Sequence, residues 1–160
     1  LQYGPYKAVD ARNPSIAGGD PLEKFTNRTY KGKPAVASNI GDLKMVLDAR
    51  RAMKLKPVIV VVQMSNPMVF SEFEKEADAI LCAFDVQDQA LMDAVSGAFE
   101  PSGLLPLQMP ADMRTVEQQK EDVPFDMKCH VDSEGNAYDF GFGLNWGGAI
   151  KDGRASGYRD

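Results

Sequence analysis

The stretch that decides the fold is Pro57-Val58-Ile59-Val60-Val61-Val62-Gln63-Met64. It is dominated by an unbroken run of β-branched residues, which is typical of a strand that is covered on both faces. Strands of this kind belong to parallel sheets, in which helices lie over each face. Asn66-Pro67 is a turn signal that ends the strand. The stretch therefore predicts an α/β fold with a mostly parallel sheet.

A helix is expected immediately before this strand, from about Gly41 to Lys54. Ser38 or Asn39 can cap it, and its apolar residues recur at helical spacing. These apolar residues are Leu43, Val46, Leu47 and Met53. Residues 1–40 are rich in turn residues and show no sustained apolar period, so they predict a long irregular segment.

Two further strands are expected after the first. The apolar run Ala79 to Phe84 predicts a second buried strand, and Leu104 to Met109 predicts a third, shorter one. Phe70 to Glu76 predicts a short helix between the first two strands. Beyond Pro110 the chain becomes polar and predicts an irregular segment.

A longer helix is expected between the second and third strands. It begins at Gln87 or Asp88 and stops before Pro101. Its apolar face consists of Leu91, Met92, Val95 and Phe99. The alternation of helices and strands predicts a three-layer α/β/α sandwich with an open sheet and long irregular terminal segments. Residues 1–150 are expected to form the domain and residues 151–160 a loose tail.

The composition is that of a single domain. The chain has 160 residues and a net charge of -5, and its basic residues are scattered. Nucleic acid is disfavoured as a partner, since phosphate binding needs a concentrated positive surface. No apolar run approaches the roughly 20 residues that cross a bilayer, so we expect no membrane partner. The chain begins with Leu1 and shows no leader, and we interpret it as a fragment or a processed product.

Two cysteines are too few for a disulfide scaffold. Cys82 lies within an apolar segment and is interpreted as a small buried hydrophobe. Cys129-His130 places two potential ligands side by side, but a zinc site needs a second pair at usable spacing. We therefore expect neither a metal site nor a cofactor.

Three motifs occur in order along the chain. The first is Lys56 to Val62 running into Asn66-Pro67-Met68-Val69. The second joins the strand at Ala77 to Leu81 to the turn Pro101-Ser102-Gly103-Leu104-Leu105-Pro106, and the third is Tyr138-Asp139-Phe140-Gly141-Phe142-Gly143-Leu144. Together they resemble the C-terminal sandwich domain of family 3 glycoside hydrolases, which include many β-glucosidases and β-xylosidases. The resemblance covers about residues 31–150.

The chain departs from the family pattern at two places. Residues 85–89 stand where the family usually has a Gly-rich loop, and Leu104 stands where it usually has a basic residue. The loop change bears on substrate preference. The family's nucleophile is an aspartate on a preceding (β/α)8 barrel, which a chain of this length cannot contain. We also expect the opening strand and helix of the sandwich to lie upstream of Leu1.

The resemblance implies that the parent protein is a β-glucosidase-related glycosidase, which releases terminal β-linked sugars from oligosaccharides. Retaining glycosidases use two carboxyl groups about 5 Å apart. By resemblance, the sandwich domain lends the acid/base glutamate from a loop to a cleft shared with the barrel. Glu23 is the candidate for this role, and Asp20 is an alternative in the same loop. The isolated chain is then expected to be inactive.

The ends of the predicted strands supply further candidates. Asn66, Asp85 and Gln87 follow strands at the sheet edge where open α/β sheets place ligand contacts. Together with Asp20, they are the predicted substrate-binding residues. Strand ends also need polar caps, so a structural role stays open for each. The aromatic residues of the third motif alternate with glycine, which favours packing over a core rather than stacking on sugars.

The expected partners are the barrel domain of the parent enzyme and an oligosaccharide or glycoside, and a homodimer is left open. The resemblance also implies a secreted or periplasmic parent. Two other classes fit the alternation of helices and strands: a free-standing flavodoxin-like binding module and a purely structural interaction domain. The flavodoxin-like module is disfavoured, because no phosphate-binding Gly-rich turn follows Met64 or Phe84.

Overall fold

The computed structural model describes residues 2–11, 31–120 and 123–158. The helices are α1 (Ile40–Met53), α2 (Asp88–Val95) and α3 (Met113–Gln118), with 3₁₀ helices at Phe70–Glu72, Glu74–Glu76 and Gly153–Tyr158. The strands are β1 (Tyr6–Lys7), β2 (Pro34–Ala35), β3 (Ile59–Gln63), β4 (Ala79–Ala83), β5 (Leu144–Asn145) and β6 (Gly148–Ala149). None of the described helices is long and apolar enough to cross a bilayer.

The central pair of strands, β3 and β4, is parallel. Val60 lies opposite Ile80 and Val62 opposite Cys82. These four side chains pack against a buried core. The core consists of Met64, Met68, Phe70, Phe73 and Met109. The α/β class and the two strands predicted from the apolar runs are therefore confirmed.

The predicted third strand, Leu104–Met109, is wrong. Among the described residues every sheet has two strands, and this segment belongs to none of them. It bonds irregularly to the aromatic motif instead, for example from the Leu105 N–H to the Phe142 carbonyl oxygen at 2.7 Å. Pro106 and Pro110 have no N–H group to donate, so a regular ladder cannot form along the segment.

The helix predicted to run toward Pro101 is shorter than expected. α2 ends at Val95, and Phe99 lies beyond its end with 47% of its surface exposed. Gly97 has a φ of 77°, a left-handed conformation that commonly terminates helices. Phe99 therefore does not belong to the apolar face of this helix.

Helical structure also occurs where irregular chain was expected. α3 begins after Asp112, whose side-chain oxygen accepts a hydrogen bond from the Thr115 N–H at 2.7 Å. This bond satisfies one of the free donors at the helix start. Within the expected tail, Gly153–Tyr158 forms a 3₁₀ helix, and the Tyr158 ring lies 6.1 Å from the Phe140 ring.

The aromatic motif packs over the core, as its glycine spacing predicted. The Tyr138 ring contacts the Phe70 ring edge-on at 5.5 Å and stacks on the Phe142 ring at 5.4 Å. Gly143 approaches the Gly103 carbonyl oxygen so closely that a Cβ atom would overlap it. Trp146 is the exception, since 67% of its surface is exposed.

The N-terminal residues are fastened to the rest of the domain by two glutamates. Glu72 accepts hydrogen bonds from the Tyr3 and Gly4 N–H groups, both at 2.7 Å. Glu117, on α3, accepts from the Tyr6 hydroxyl. β1 and β2 pair antiparallel, so the chain on both sides of residues 12–30 starts from one anchored stem.

Candidate functional site

The carboxyl ends of β3 and β4 border an open cleft of about 590 Å³. Its lining residues are Val61, Gln63, Asp85, Val86, Gln87, Asp88 and Leu91. We call this the Asp85 cleft. The edge at which parallel strands end is the usual ligand-binding edge of an open α/β sheet. The structure thus places the predicted residues Asp85 and Gln87 in one cleft.

The backbone at Asp85 forms the bend between β4 and α2. Asp85 has a φ of 52°, in the left-handed region that aspartate tolerates better than most residues. Its Oδ1 atom lies 3.4 Å from the Nε2 atom of Gln63, which is the last residue of β3. The bend therefore brings the polar ends of the two strands together.

The polar groups of the Asp85 cleft suit a neutral ligand rich in hydroxyl groups. Asp85 and Asp88 supply carboxylate acceptors, while the amides of Gln63 and Gln87 both donate and accept. Val61 and Leu91 supply apolar surface beside them. Gln63 was missed by the sequence reasoning, although it is the first polar residue after the β-branched run and therefore marks the end of that strand.

Asn66 lies in a different cleft, of about 550 Å³. The lining residues are Asn66, Pro67, Pro106, Leu107, Gln108, Val116, Gln119, Phe125, Met127 and Phe140. We call this the phenylalanine cleft, and it shares no lining residue with the Asp85 cleft. The structure therefore does not bring Asn66 into one cleft with Asp85 and Gln87. The predicted residues Asp20 and Glu23 lie outside the described residues.

The Cys129-His130 pair does not form part of a larger ligand cluster. No three His, Cys, Asp or Glu side chains converge in the described parts of the chain. His130 is buried beside Glu74, with 3.7 Å between Nε2 and the nearer carboxylate oxygen. Cys82 is largely shielded between the sheet and the core, and this burial raises the pKa of its thiol to about 11. Such a thiol fits a packing role, because the reactive thiolate form is suppressed.

Comparison with known proteins identifies the family. Residues 40–146 match the model of the glycosyl hydrolase family 3 C-terminal domain. The matched range contains β3, β4 and both clefts. It also contains the proline-rich turn and the aromatic motif on which the sequence resemblance depends. No solved structure matches the chain significantly.

Several curated proteins are similar to the chain over part of their length. A probable beta-glucosidase C of Aspergillus oryzae is 37% identical over 90 residues, which cover 56% of this chain and 13% of that protein. Beta-glucosidase C of Emericella nidulans is 34% identical over 90 residues, 56% of this chain and 14% of that protein. A periplasmic beta-glucosidase/beta-xylosidase of Dickeya chrysanthemi is 26% identical over 120 residues, 75% of this chain and 17% of that protein.

The chain thus spans less than a fifth of the length of these relatives. The match disfavours the flavodoxin-like alternative. The matched range contains the sheet edge, the proline-rich turn and the aromatic motif. The chain therefore belongs to the glycosyl hydrolase family 3 C-terminal domains.

Proposed function

We propose that this chain is the C-terminal domain of a glycosidase that releases terminal β-linked sugars, and that the Asp85 cleft faces the sugar site. The observation that carries the proposal is the position of Asp85 and Gln87 at the carboxyl edge of a parallel sheet, inside the matched range. The names of the relatives, beta-glucosidase and beta-xylosidase, support the substrate class.

The partner in this proposal is a (β/α)8 barrel domain of the same polypeptide. Cleavage by a retaining glycosidase requires two opposed carboxyl groups, and the barrel supplies the nucleophile. The chain aligns with only 13% and 17% of the length of two relatives, which is consistent with a parent protein that contains such a domain. Export of the parent to the periplasm or the exterior is part of the proposal, supported by the relative named periplasmic.

We further propose Glu23 as the acid/base residue, with Asp20 as the alternative. The stem formed by β1 and β2 supports this assignment. Tyr6 pairs with Ala35, and the Tyr6 hydroxyl is bound by Glu117, so the chain enters and leaves the intervening segment at one fixed place. Glu23 and Asp20 both lie between the two arms of this stem in the sequence.

The three-layer sandwich is also proposed for the complete domain. Leu43 and Val46 of α1 pack against the core on the Val60 face of β3, whereas Leu91 of α2 borders the cleft beside Val61. These positions support helices on the two sides of the sheet in the complete domain, although Ile59 and Val61 on the α2 side are still about two-fifths exposed in this chain, at 43% and 41%. The outer edge of β3 has no partner strand among the described residues, so additional strands can extend the sheet there.

The proposal is tested in the full-length enzyme with an aryl β-glucoside or aryl β-xyloside. Replacing Asp85 by Ala or Gln87 by Ala should lower kcat/KM about tenfold to a hundredfold, the effect of losing a hydrogen bond to a sugar hydroxyl. Glu134→Ala, an exposed substitution in a turn that lines neither cleft, is the matched control. Unchanged kinetics in both cleft variants would remove the Asp85 cleft from the sugar site.

The acid/base assignment has its own test. Glu23→Gln should lower turnover of substrates with poor leaving groups by about 10²-fold to 10⁴-fold. Azide should speed turnover only of activated aryl glycosides, because it attacks the glycosyl-enzyme in place of water and does not protonate the leaving group. Asp20→Asn, measured in parallel, distinguishes the two carboxylates of the loop. Normal turnover in Glu23→Gln would exclude Glu23. The 160-residue chain alone should not hydrolyse a nitrophenyl glucoside, since it lacks the proposed nucleophile domain.

A further inference from the structure

The phenylalanine cleft has the size and shape of a small-molecule site. Its volume of about 550 Å³ lies within the range of roughly 300–1,000 Å³ that is usual for ligand pockets. Five parts of the chain meet around it: the turn after β3 with Asn66, the segment with Gln108, the end of α3 with Gln119, the segment with Phe125, and the aromatic motif with Phe140. The cleft is therefore formed between separate elements of the fold and not within a single loop.

The lining of this cleft carries no ionisable side chain, since all its lining residues are neutral. Charged ligands are therefore disfavoured, because nothing in the lining would compensate their loss of water. Three primary amides line the cleft. Those of Asn66 and Gln119 can supply a donor and an acceptor, whereas the Gln108 nitrogen already donates within the domain. Paired donors and acceptors of this kind complement the hydroxyl groups of a sugar.

The cleft also presents aromatic surface. The rings of Phe125 and Phe140 lie 5.4 Å apart and are inclined at 50° to each other. Aromatic rings supply large apolar area with few rotatable bonds, and the carbon-bound hydrogens on one face of a pyranose match such a surface. Polar amides beside phenyl rings thus suit a neutral saccharide better than a wholly apolar ligand.

Two details indicate that the cleft is preorganised. The Gln108 Nε2 atom donates to the Asp139 Oδ1 atom at 2.7 Å and also lies 3.3 Å from Cys129 Sγ and 3.4 Å from the Met127 carbonyl oxygen, and these contacts fix the orientation of the amide. Phe125 has a φ of 59°, a conformation that is costly for a bulky residue, and yet 40% of its surface is exposed. Residues held in sparsely populated backbone conformations cluster at active sites and ligand clamps.

From these observations we propose that the phenylalanine cleft is a second, non-catalytic binding site for a neutral saccharide unit. The site is separate from the Asp85 cleft, so it stands or fails independently of the proposed function. It would hold one part of an oligosaccharide while another part is processed elsewhere, or retain the domain near a polysaccharide surface.

The test is a titration of the isotopically labelled 160-residue chain with cellobiose, followed by ¹H–¹⁵N NMR. We expect saturable shifts of the side-chain amide signals of Asn66, Gln108 and Gln119, with a dissociation constant on the order of 1 mM. The backbone signals of residues 85–88 report on the Asp85 cleft in the same spectra. Shifts confined to residues 85–88, or no saturable shifts, would overturn the proposal.

Two variants sharpen the result. Phe125→Gly removes the ring while the new residue tolerates positive φ, and it should weaken binding about tenfold. Gln119→Ala removes one amide and should also weaken binding, which keeps the test valid if the first variant is unfolded. Phe99→Ala removes an exposed ring outside the cleft and should leave binding unchanged. If Phe125→Gly and Gln119→Ala bind as tightly as the control Phe99→Ala, the saccharide does not bind in the phenylalanine cleft.

Discussion

The Nε2 atom of His130 lies 3.7 Å from a carboxylate oxygen of Glu74, and the two side chains are only 9% and 13% exposed. This separation exceeds hydrogen-bond distance, and Nε2 has no hydrogen-bond partner among the described residues. The Tyr138 ring packs edge-on against the imidazole at 5.0 Å. His130 thus lies between the 3₁₀ helix at Glu74–Glu76 and Tyr138 of the aromatic motif.

Replacing His130 by Leu should lower the free energy of unfolding by about 1–3 kcal/mol. The substitution removes the imidazole that lies beside the shielded Glu74 carboxylate, so the cost of burying that carboxylate is less well compensated. Chemical denaturation of both proteins measures the difference. The double variant Glu74→Leu/His130→Leu should recover part of the loss, because no buried carboxylate then remains. A single variant as stable as the original protein would show that the pair is energetically unimportant.

Replacing Gly143 by Ala should destabilise the domain by about 1–3 kcal/mol, the usual cost of overpacking. The new Cβ atom would overlap the Gly103 carbonyl oxygen, and backbone cannot move aside as a flexible side chain can. Gly41→Ala is the matched control, since Gly41 lies in α1 with no atom near the added methyl group. That control lies in the first turn of α1 and should be neutral or stabilise the helix by up to about 0.5 kcal/mol. Thermal unfolding distinguishes the two outcomes.

Replacing Asp132 by Asn should destabilise the protein at neutral pH but much less in acid. Burial alone would raise the pKa of Asp132, but hydrogen bonds from the Asn136 side chain and from the N–H groups of Asn136 and Glu134 outweigh it and hold the pKa below its usual range. A carboxyl group whose folded pKa is lowered stabilises the protein above its unfolded pKa of about 3.9. That contribution is lost as pH falls through the folded pKa.

The measurement for Asp132 is the unfolding midpoint of both proteins between neutral pH and about pH 3. The difference between them should narrow below about pH 4. Ser133→Ala, in the same turn, serves as the control because it removes no titrating group. A difference that stays constant with pH would show that the carboxylate charge does not contribute.

The Cys82 thiol should resist modification in the folded protein. Burial raises its pKa to about 11, so little thiolate is present near pH 8. In a Cys129→Ser variant Cys82 is the sole thiol, since the chain has 2 cysteines. Its reaction with Ellman's reagent should be slow in buffer and fast in denaturant. Equal rates in the two conditions would show that the thiol is accessible.

The regular parts of the fold could be predicted from the sequence where local pattern and tertiary environment agree. The β-branched run of β3 and the helical spacing of α1 are such cases, and both confirmed elements lie within one residue or two of their predicted bounds. The prediction failed at Leu104–Met109, where an apolar pattern resembles a strand but two prolines prevent regular pairing. It also missed α3, a six-residue helix with little periodicity of its own.

The candidate site was predictable only in part. Asp85 and Gln87 follow one strand end, so their shared cleft can be inferred from topology. Asn66 also follows a strand, but the chain turns it toward Phe125 and Phe140, which are distant in sequence. Contacts of this kind depend on how the irregular segments close over the core. No local sequence pattern predicts these contacts. The contact between Glu74 and His130 could not be predicted for the same reason.

The anchored β1–β2 stem has a consequence for the length of the segment between its arms. Glu72 binds the residues just before β1, and Glu117 binds Tyr6 of β1. Neither anchor lies in the segment between β1 and β2, so neither depends directly on the length of that segment. Doubling the length of such an insert costs only about 0.6 kcal/mol in closure entropy. A longer or shorter insert is therefore compatible with the same core and the same pair of anchoring glutamates.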